Sequence, residues 1–593
     1  MATYRYATKD LSINNAMAFM DALNASDTAS TKNSTILYAI LGRSREWGNE
    51  PNPEIPADNE QYLHYGVLRE AIGAKKVTTQ DVSHVAPRYD WVSGTVYSMY
   101  RDQDIDMYER AFYVLTDEYN VYKCLYNNNN AASTVKPTGY SVSNFTTSDG
   151  YTWKYMYTIS LGLADKFLTP GFIPVRTLTS SDSSNESDRQ LAVQNAAVNG
   201  SIEVIEVNNA GSGYHQLSNG VVEAGGRLTL KLSTAVDQPP SSVDNFYIGS
   251  SVYIKSGTGA SQLRRITEYN GTTRTLAVNT AFTTTPNTDS TVIISPSVIV
   301  IGDGTGALAY SRVDVETGAV SNVAIINTGT GYTRAKAIIS ANSIHGTGAT
   351  ANVIISSVGG HGSDPVRELY ADKIMLNVQF NGSIGVSNTG AGYIPANTEF
   401  RSISILKDPV LKVNSNNEHV AVESIANTSN SPASLRMTTR IGISYLQMDG
   451  SVPENPIEVA DILTNERNRL RAELGELEFV TELNPLIRLS ASMANAVQGA
   501  NAEVVYIRED ETQADPSFYV AYLNNVQSYG DYIPFTRDDV LLKSTSDTKI
   551  ATIETIVGPE ANTFSGQVLY TENIEKVTRN VDQIEDIKIV LDF

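Results

Sequence analysis

"VIVIGDGTGALAY", residues 298–310, is compatible with two folds. Its Gly304-x-Gly306-x-x-Ala309 spacing imitates the fingerprint of a dinucleotide-binding strand, turn and helix, in which helix N-terminal amides hold a pyrophosphate. The residues that follow argue against a helix. Ala307, Ala309, Ser311, Val313 and Val315 alternate with Leu308, Tyr310, Arg312 and Asp314 until "ETG" turns the chain, and that is the period of a strand. A β-hairpin is therefore predicted here. The same reading applies to "GTGATA", where Gly346-x-Gly348-x-x-Ala351 repeats the spacing. No cofactor is expected at either loop.

Working outward, most of the chain alternates apolar and polar residues in short runs rich in Val, Ile, Thr and Tyr, punctuated by Gly, Asn and Ser. This pattern predicts a mainly β protein. Two helices stand out. "INNAMAFMDAL" places Ile13, Met17, Met20 and Leu23 on one face, and "PIEVADILTNERNRLRAEL" at 456–474 opens on a proline and precedes Gly475. A length of 593 residues implies several domains. Residues 1–178 carry all three tryptophans and many tyrosines, 179–395 are rich in Gly, Ser, Thr and Asn, and charge returns from 396. Borders are expected at these shifts, the first at the polar "SSDSSNESD" of 180–188. The expected organisation is a β-sandwich-type body in two parts, 1–178 and 396–593, with a β-rich insertion at 179–395 between them.

The chain has 44 basic and 65 acidic residues, a net charge of −21, which disfavours a surface that tracks nucleic acid. One cysteine excludes an intrachain disulfide framework and fits assembly in a reducing cytoplasm. No apolar run approaches the roughly 18 residues of a membrane span, so a soluble protein without an export signal is expected.

A motif occurs three times: "NAGSGY" at 209, "NTGTGY" at 327 and "NTGAGY" at 388. Each follows aliphatic residues at alternate positions, Ile205 and Val207, Val323 and Ile325, Ile384 and Val386. Such a strand running into Asn-x-Gly-x-Gly-Tyr predicts turns with Gly213, Gly331 and Gly392 at positive φ, and tyrosines packing back on the sheet. The spacing is uneven, which excludes a regular solenoid. In an alternative reading, Tyr214, Tyr332 and Tyr393 stack on sugar rings and the insertion is a host-glycan adhesin.

Asp102, Asp104 and Asp106 have the spacing of a calcium loop, but Met107 stands at the required glycine and Tyr113 at the bidentate glutamate. The run is expected to be a solvated acidic loop. The six histidines never pair at metal-ligand spacing, and Cys124 in "VYKCLY" alternates with aromatic residues as a core residue does. No metal site and no enzymatic activity are expected.

"TILYAILGRSREW" (35–47) runs from a buried strand into Arg43, Arg45, Glu46 and Trp47. "VAPRYDW" (85–91) brings Arg88 and Trp91 to a similar corner, and "DGYTWKYMYTIS" (149–160) brings Trp153. With "NVYKCLYNNN" (120–129), "FRSISILKDPV" (400–410) and "SGQVLYTENIEKVTRNVDQIEDIKIVLDF" (565–593), these segments in this order resemble the baseplate wedge subunit of contractile-tailed bacteriophages, the eighth gene product of the T-even type. The resemblance covers about residues 34–178 and 396–593 and omits the insertion.

It implies a non-enzymatic, mainly β structural protein that dimerises, sits in the virion's tail baseplate and is assembled in the host cytoplasm. Its implied partners are other wedge subunits and tail-fibre or peripheral baseplate proteins, without nucleic acid. The Arg43, Arg45, Glu46 group is read as an interface or intradomain salt-bridge corner. In "IEDIKIVLDF", Ile587, Ile589 and Leu591 share the expected buried face of a final strand, closed by Phe593.

Overall fold

The computed structural model describes residues 8–27, 35–56, 66–340, 346–380, 394, 398–414, 421–425, 433–445, 478–481, 501–509, 518–524, 535–543, 549–562, 565–580 and 583–593. The expected helix at 456–474 and the third motif, with Gly392 and Tyr393, lie outside these residues. The chain is mainly β with several antiparallel sheets, and it divides into two compact units, 1–83 with 373–593, and 84–372.

The first unit is built on a five-stranded antiparallel sheet. Its order is Ser434–Arg436, Ala71–Val77, Leu37–Gly42, Glu399–Lys407 and Gln567–Thr578. Every residue of Leu37–Gly42 is buried because both of its faces are covered. Leu37, Ala39 and Leu41 join one core with Ala16 and Leu23 of the helix Lys9–Asp27 and with Ile374, Leu376 and Val378. Tyr38 and Ile40 join a second core with Leu68, Leu406 and Leu435. Two-sided burial is why this central strand reads as an unbroken apolar run.

Ile374, Leu376 and Val378 belong to the strand Lys373–Phe380, which pairs antiparallel with the last strand, Glu585–Asp592. Six strands add a closed barrel, ordered Thr439–Tyr445, Phe518–Leu523, Asn501–Glu509, Glu478–Thr481, Val540–Lys543 and Lys549–Val557. Composition did not anticipate a barrel. Closure depends on the first and last strands meeting, and strand period alone carries no such information.

The second unit contains an aromatic four-stranded sheet, Tyr113–Leu115, Asn120–Asn127, Tyr151–Thr158 and Phe145–Thr146. It also contains an eleven-stranded antiparallel sheet, all of whose strands fall between residues 202 and 355. Thr291–Gly302 and Thr305–Asp314 are consecutive strands joined at Asp303 and Gly304, and no helix begins there. Ala309, Ser311 and Val313 are buried as the alternation requires, while Val315 lies past the strand end and is exposed.

The division differs from the expected borders at 178/179 and 395/396. The aromatic segment 84–178 belongs with the β-rich segment because side chains join them: Arg101 pairs with Glu206 at 2.7 Å, Asn144 donates to Glu203 at 2.9 Å, and Lys123 pairs with Glu368 at 2.8 Å. The polar run at 180–188 is a helix start, where Ser184 accepts from the Ser187 amide and caps Asn185–Ala196. Serine and acidic residues favour a linker and a helix N-terminus alike, so composition did not separate the two.

Candidate functional site

The Arg43 to Glu50 corner is consumed by its own unit. Arg43 adopts φ 60°, lays its guanidinium 3.6 Å over the Trp47 ring and donates to Glu70 at 2.9 and 3.1 Å. The Trp47 indole N–H donates to the Ile574 carbonyl at 3.0 Å. Arg401, fully buried, donates to Glu50 at 2.6 Å, to Glu399 at 2.9 Å and to the Ser44 carbonyl. The Arg45 and Glu46 side chains are exposed. The corner therefore locks a loop onto two strands of the central sheet.

Burial alone would raise the Glu50 carboxyl, but bonds from Arg401 and from the Trp47 amide bring it below its ordinary value of 4.5. A carboxyl depressed by folding contributes stability above its unfolded pKa and loses it as the pH falls toward the folded value. Acidification below pH 4.5 is thus expected to weaken this corner. Thermal melts of the wild type and Glu50→Gln between neutral pH and pH 3 check this, since the gap between them should close on the acid side.

The other aromatic corners are also internal. Arg88 pairs with Asp90 at 2.9 Å and donates to the Thr169 carbonyl at 3.1 Å, and Trp91 donates to the Ser133 hydroxyl at 3.1 Å. Trp153 is fully buried, stacked on Tyr151 with Tyr97 edge-on. Cys124 is buried, and burial pushes its thiol up, away from the reactive thiolate. The acidic loop lies at the surface, with Asp102 and Gln103 exposed, and is ion-paired there. Arg110 meets Asp104 at 3.3 Å and Asp106 at 2.9 Å, and Asp102 accepts from the Ile355 amide at 3.3 Å.

The two described Asn-x-Gly-x-Gly-Tyr turns have a matching partner that sequence reading treated as unrelated. Gly213 and Gly331 sit at φ 74° and 75°. Tyr332 packs on Gly304-Thr-Gly-Ala and Tyr214 on Gly346-Thr-Gly-Ala, the two loops that imitated nucleotide sites. A Cβ at Gly304 would press into the Tyr332 ring, and one at Gly346 into the Tyr214 ring. The tyrosine hydroxyls accept from the amides of Ala307 at 3.4 Å and Ala349 at 3.2 Å. The glycines thus make room for a ring, and the repeated "GTGA" was the available signal. With exposures of 1% and 5%, Tyr214 and Tyr332 offer no face to a sugar.

These contacts separate two kinds of glycine. Gly331→Ala meets open space and is expected to cost about 1 kcal/mol through its φ alone. Gly304, whose φ is not positive, must instead displace a buried ring on change to Ala and is expected to cost roughly 2–3 kcal/mol. Chemical denaturation of the two variants checks the order.

Two features escaped the sequence. The first is a buried charge cluster. Lys123 Nζ lies 2.8 Å from Glu368 Oε2 and 3.1 Å from His361 Nδ1, with the Tyr100 ring 3.9 Å away. Glu368 Oε1 accepts from the amides of Gly362 at 2.7 Å and Asp364 at 3.3 Å. Burial lowers the affinity of Lys123 and His361 for protons. Burial alone would raise Glu368, but Lys123 brings it down to about 2. The signal was a lysine inside an aromatic strand, "VYKCLY", where only a partnered charge is tolerated.

The second is an apolar sheet face open to water. Ile299 stands opposite Ile338, and the Val298–Ala309 pair sets Leu308 beside Ile299 on its other side. Ile299, Ile301, Leu308 and Ile338 are 37–47% exposed, whereas Val298, Ala309 and Ile339 on the opposite face are buried. The signal was the unbroken "VIVI", which lacks the polar alternation of a half-solvated strand. No protein-family model matches the chain, and no curated protein matches it.

Proposed function

We propose that the protein is a structural component of a contractile phage-tail baseplate wedge, acting as a homodimer that joins neighbouring wedge subunits and supports baseplate rearrangement at infection. The ordered corner segments suggest the family. The observation that carries an assembly role is the open apolar face of Ile299, Ile301, Leu308 and Ile338, because contiguous apolar surface marks interaction sites. Its occupant in this reading is a neighbouring wedge subunit. Arg43, Trp47, Trp153, Tyr214 and Tyr332 fit the same role, since each is committed to holding strands together.

Co-expression with wedge subunits, followed by light scattering and affinity capture, is expected to show a dimer that is retained in a wedge complex. Ile299→Asp combined with Ile338→Asp should reduce capture at least tenfold without changing the melting temperature. A chain that stays monomeric and captures no wedge subunit overturns the reading.

A further inference from the structure

We propose that Lys123 and Glu368 condense to an intramolecular isopeptide bond, a covalent staple inside the 84–372 unit that is independent of any tail assignment. The cluster has the parts of an acyl-transfer site. The nucleophile is the Lys123 amine, 2.8 Å from Glu368 Oε2 and so one bond from the acyl carbon. The Gly362 and Asp364 amides converge on the other oxygen, Oε1, where an oxyanion develops on attack. His361 Nδ1, 3.1 Å from the amine and 3.9 Å from Oε2, is placed to carry a proton between them. Lys123, His361 and Glu368 are each at most 3% exposed, so bulk water does not compete.

The step balances without an added reactant. One ammonium proton passes to Oε2, leaving a neutral amine beside a carboxylic acid. The amine nitrogen attacks Cδ, and the C=O electrons move onto Oε1 under the two amides. His361 takes a second proton from the nitrogen and returns it to Oε2, which leaves as water. The third proton stays on the amide nitrogen. Burial penalises the Lys123 ammonium and so works toward the neutral amine that attacks. Lys154, the other buried lysine nearby, is not the nucleophile, since its amine is engaged by the Val142 carbonyl at 2.6 Å. The bond would close a loop between residues 245 apart, tying the aromatic strand Asn120–Asn127 to the short helix Pro365–Glu368.

Intact mass spectrometry of the purified full chain tests this. The expected result is a mass lower than the sequence mass by one water, with proteolysis releasing a branched peptide that joins Lys123 to Glu368. Lys123→Ala and Glu368→Ala should each restore the full mass. His361→Ala should slow closure by about 10²- to 10⁴-fold in chain freshly refolded from denaturant, as loss of a general base does. The wild-type mass and its branched peptide decide, so the outcome does not depend on the variants folding. A full sequence mass overturns the proposal. So does a loss of water without the branched peptide, as from an imide elsewhere.

Discussion

Removal of residues 584–593 is expected to leave the unit formed by 1–83 and 373–593 unfolded. The last strand pairs along all eight residues of Lys373–Phe380, setting Ile587 against Val378, Ile589 against Leu376 and Leu591 against Ile374. Ile589 is 4% exposed, Ile587 and Leu591 pack on the same core, and Phe593 meets Phe19 at 5.4 Å. Fully burying an aliphatic side chain contributes about 1.5–3 kcal/mol. Ile589 contributes in that range and the half-buried Ile587, Leu591 and Phe593 each add a part of it, together a large share of the ~5–15 kcal/mol that separates folded from unfolded chains. The strand left behind would also present an unpaired apolar edge, a template for aggregation. Solubility and the far-ultraviolet melting curve check the result. Ile589→Ala, at about 2–5 kcal/mol, is a milder version. Ile584→Ala, at a position 57% exposed, should change little. A soluble truncated chain that melts like the wild type would show that this strand is dispensable.

The second large effect belongs to the buried cluster. Lys123→Met is expected to destabilise the 84–372 unit by about 3–5 kcal/mol, because it removes the link to Glu368 and leaves that carboxylate buried and without a cation. Replacing both charges, as Lys123→Met with Glu368→Leu, should recover part of that loss, since an apolar pair carries no desolvation penalty. Denaturant melts of the single and double variants give the comparison. A Lys123→Met variant as stable as the wild type would mean that His361 and the two amides hold Glu368 without help.

Both effects concern residues whose legibility in the sequence was very different. The last strand was readable because Ile587, Ile589 and Leu591 recur every second residue, so the buried face follows from the pleat wherever the strand docks. Helix Lys9–Asp27 was readable in the same way, through the spacing of Ile13 and Leu23, both buried. Lys123 was read only as part of a corner, since its partner is 245 residues away and no local spacing links them. The two "GTGA" loops were correctly separated from helix N-termini by their alternation, yet their purpose needed the tyrosines. Tyr332 comes 28 positions after Gly304, whereas Tyr214 precedes Gly346, so the two copies share no linear arrangement.

What the sequence determined by itself was the secondary-structure class, the hairpin at 298–314 and the inward faces of individual strands. These are properties of a few neighbouring residues, and side-chain period encodes them directly. Only the tertiary structure decided that 84–178 belongs with the β-rich segment, that the six strands from Thr439–Tyr445 to Lys549–Val557 close into a barrel, and that the corner arginines serve their own unit. It also decided that Ile299 and Ile301 face water, whereas Tyr38 and Ile40, in an equally apolar run, are covered. The physical reason is that burial of a face depends on what a distant segment lays against it. That depends on chain topology, whereas the alternation that creates the face is local.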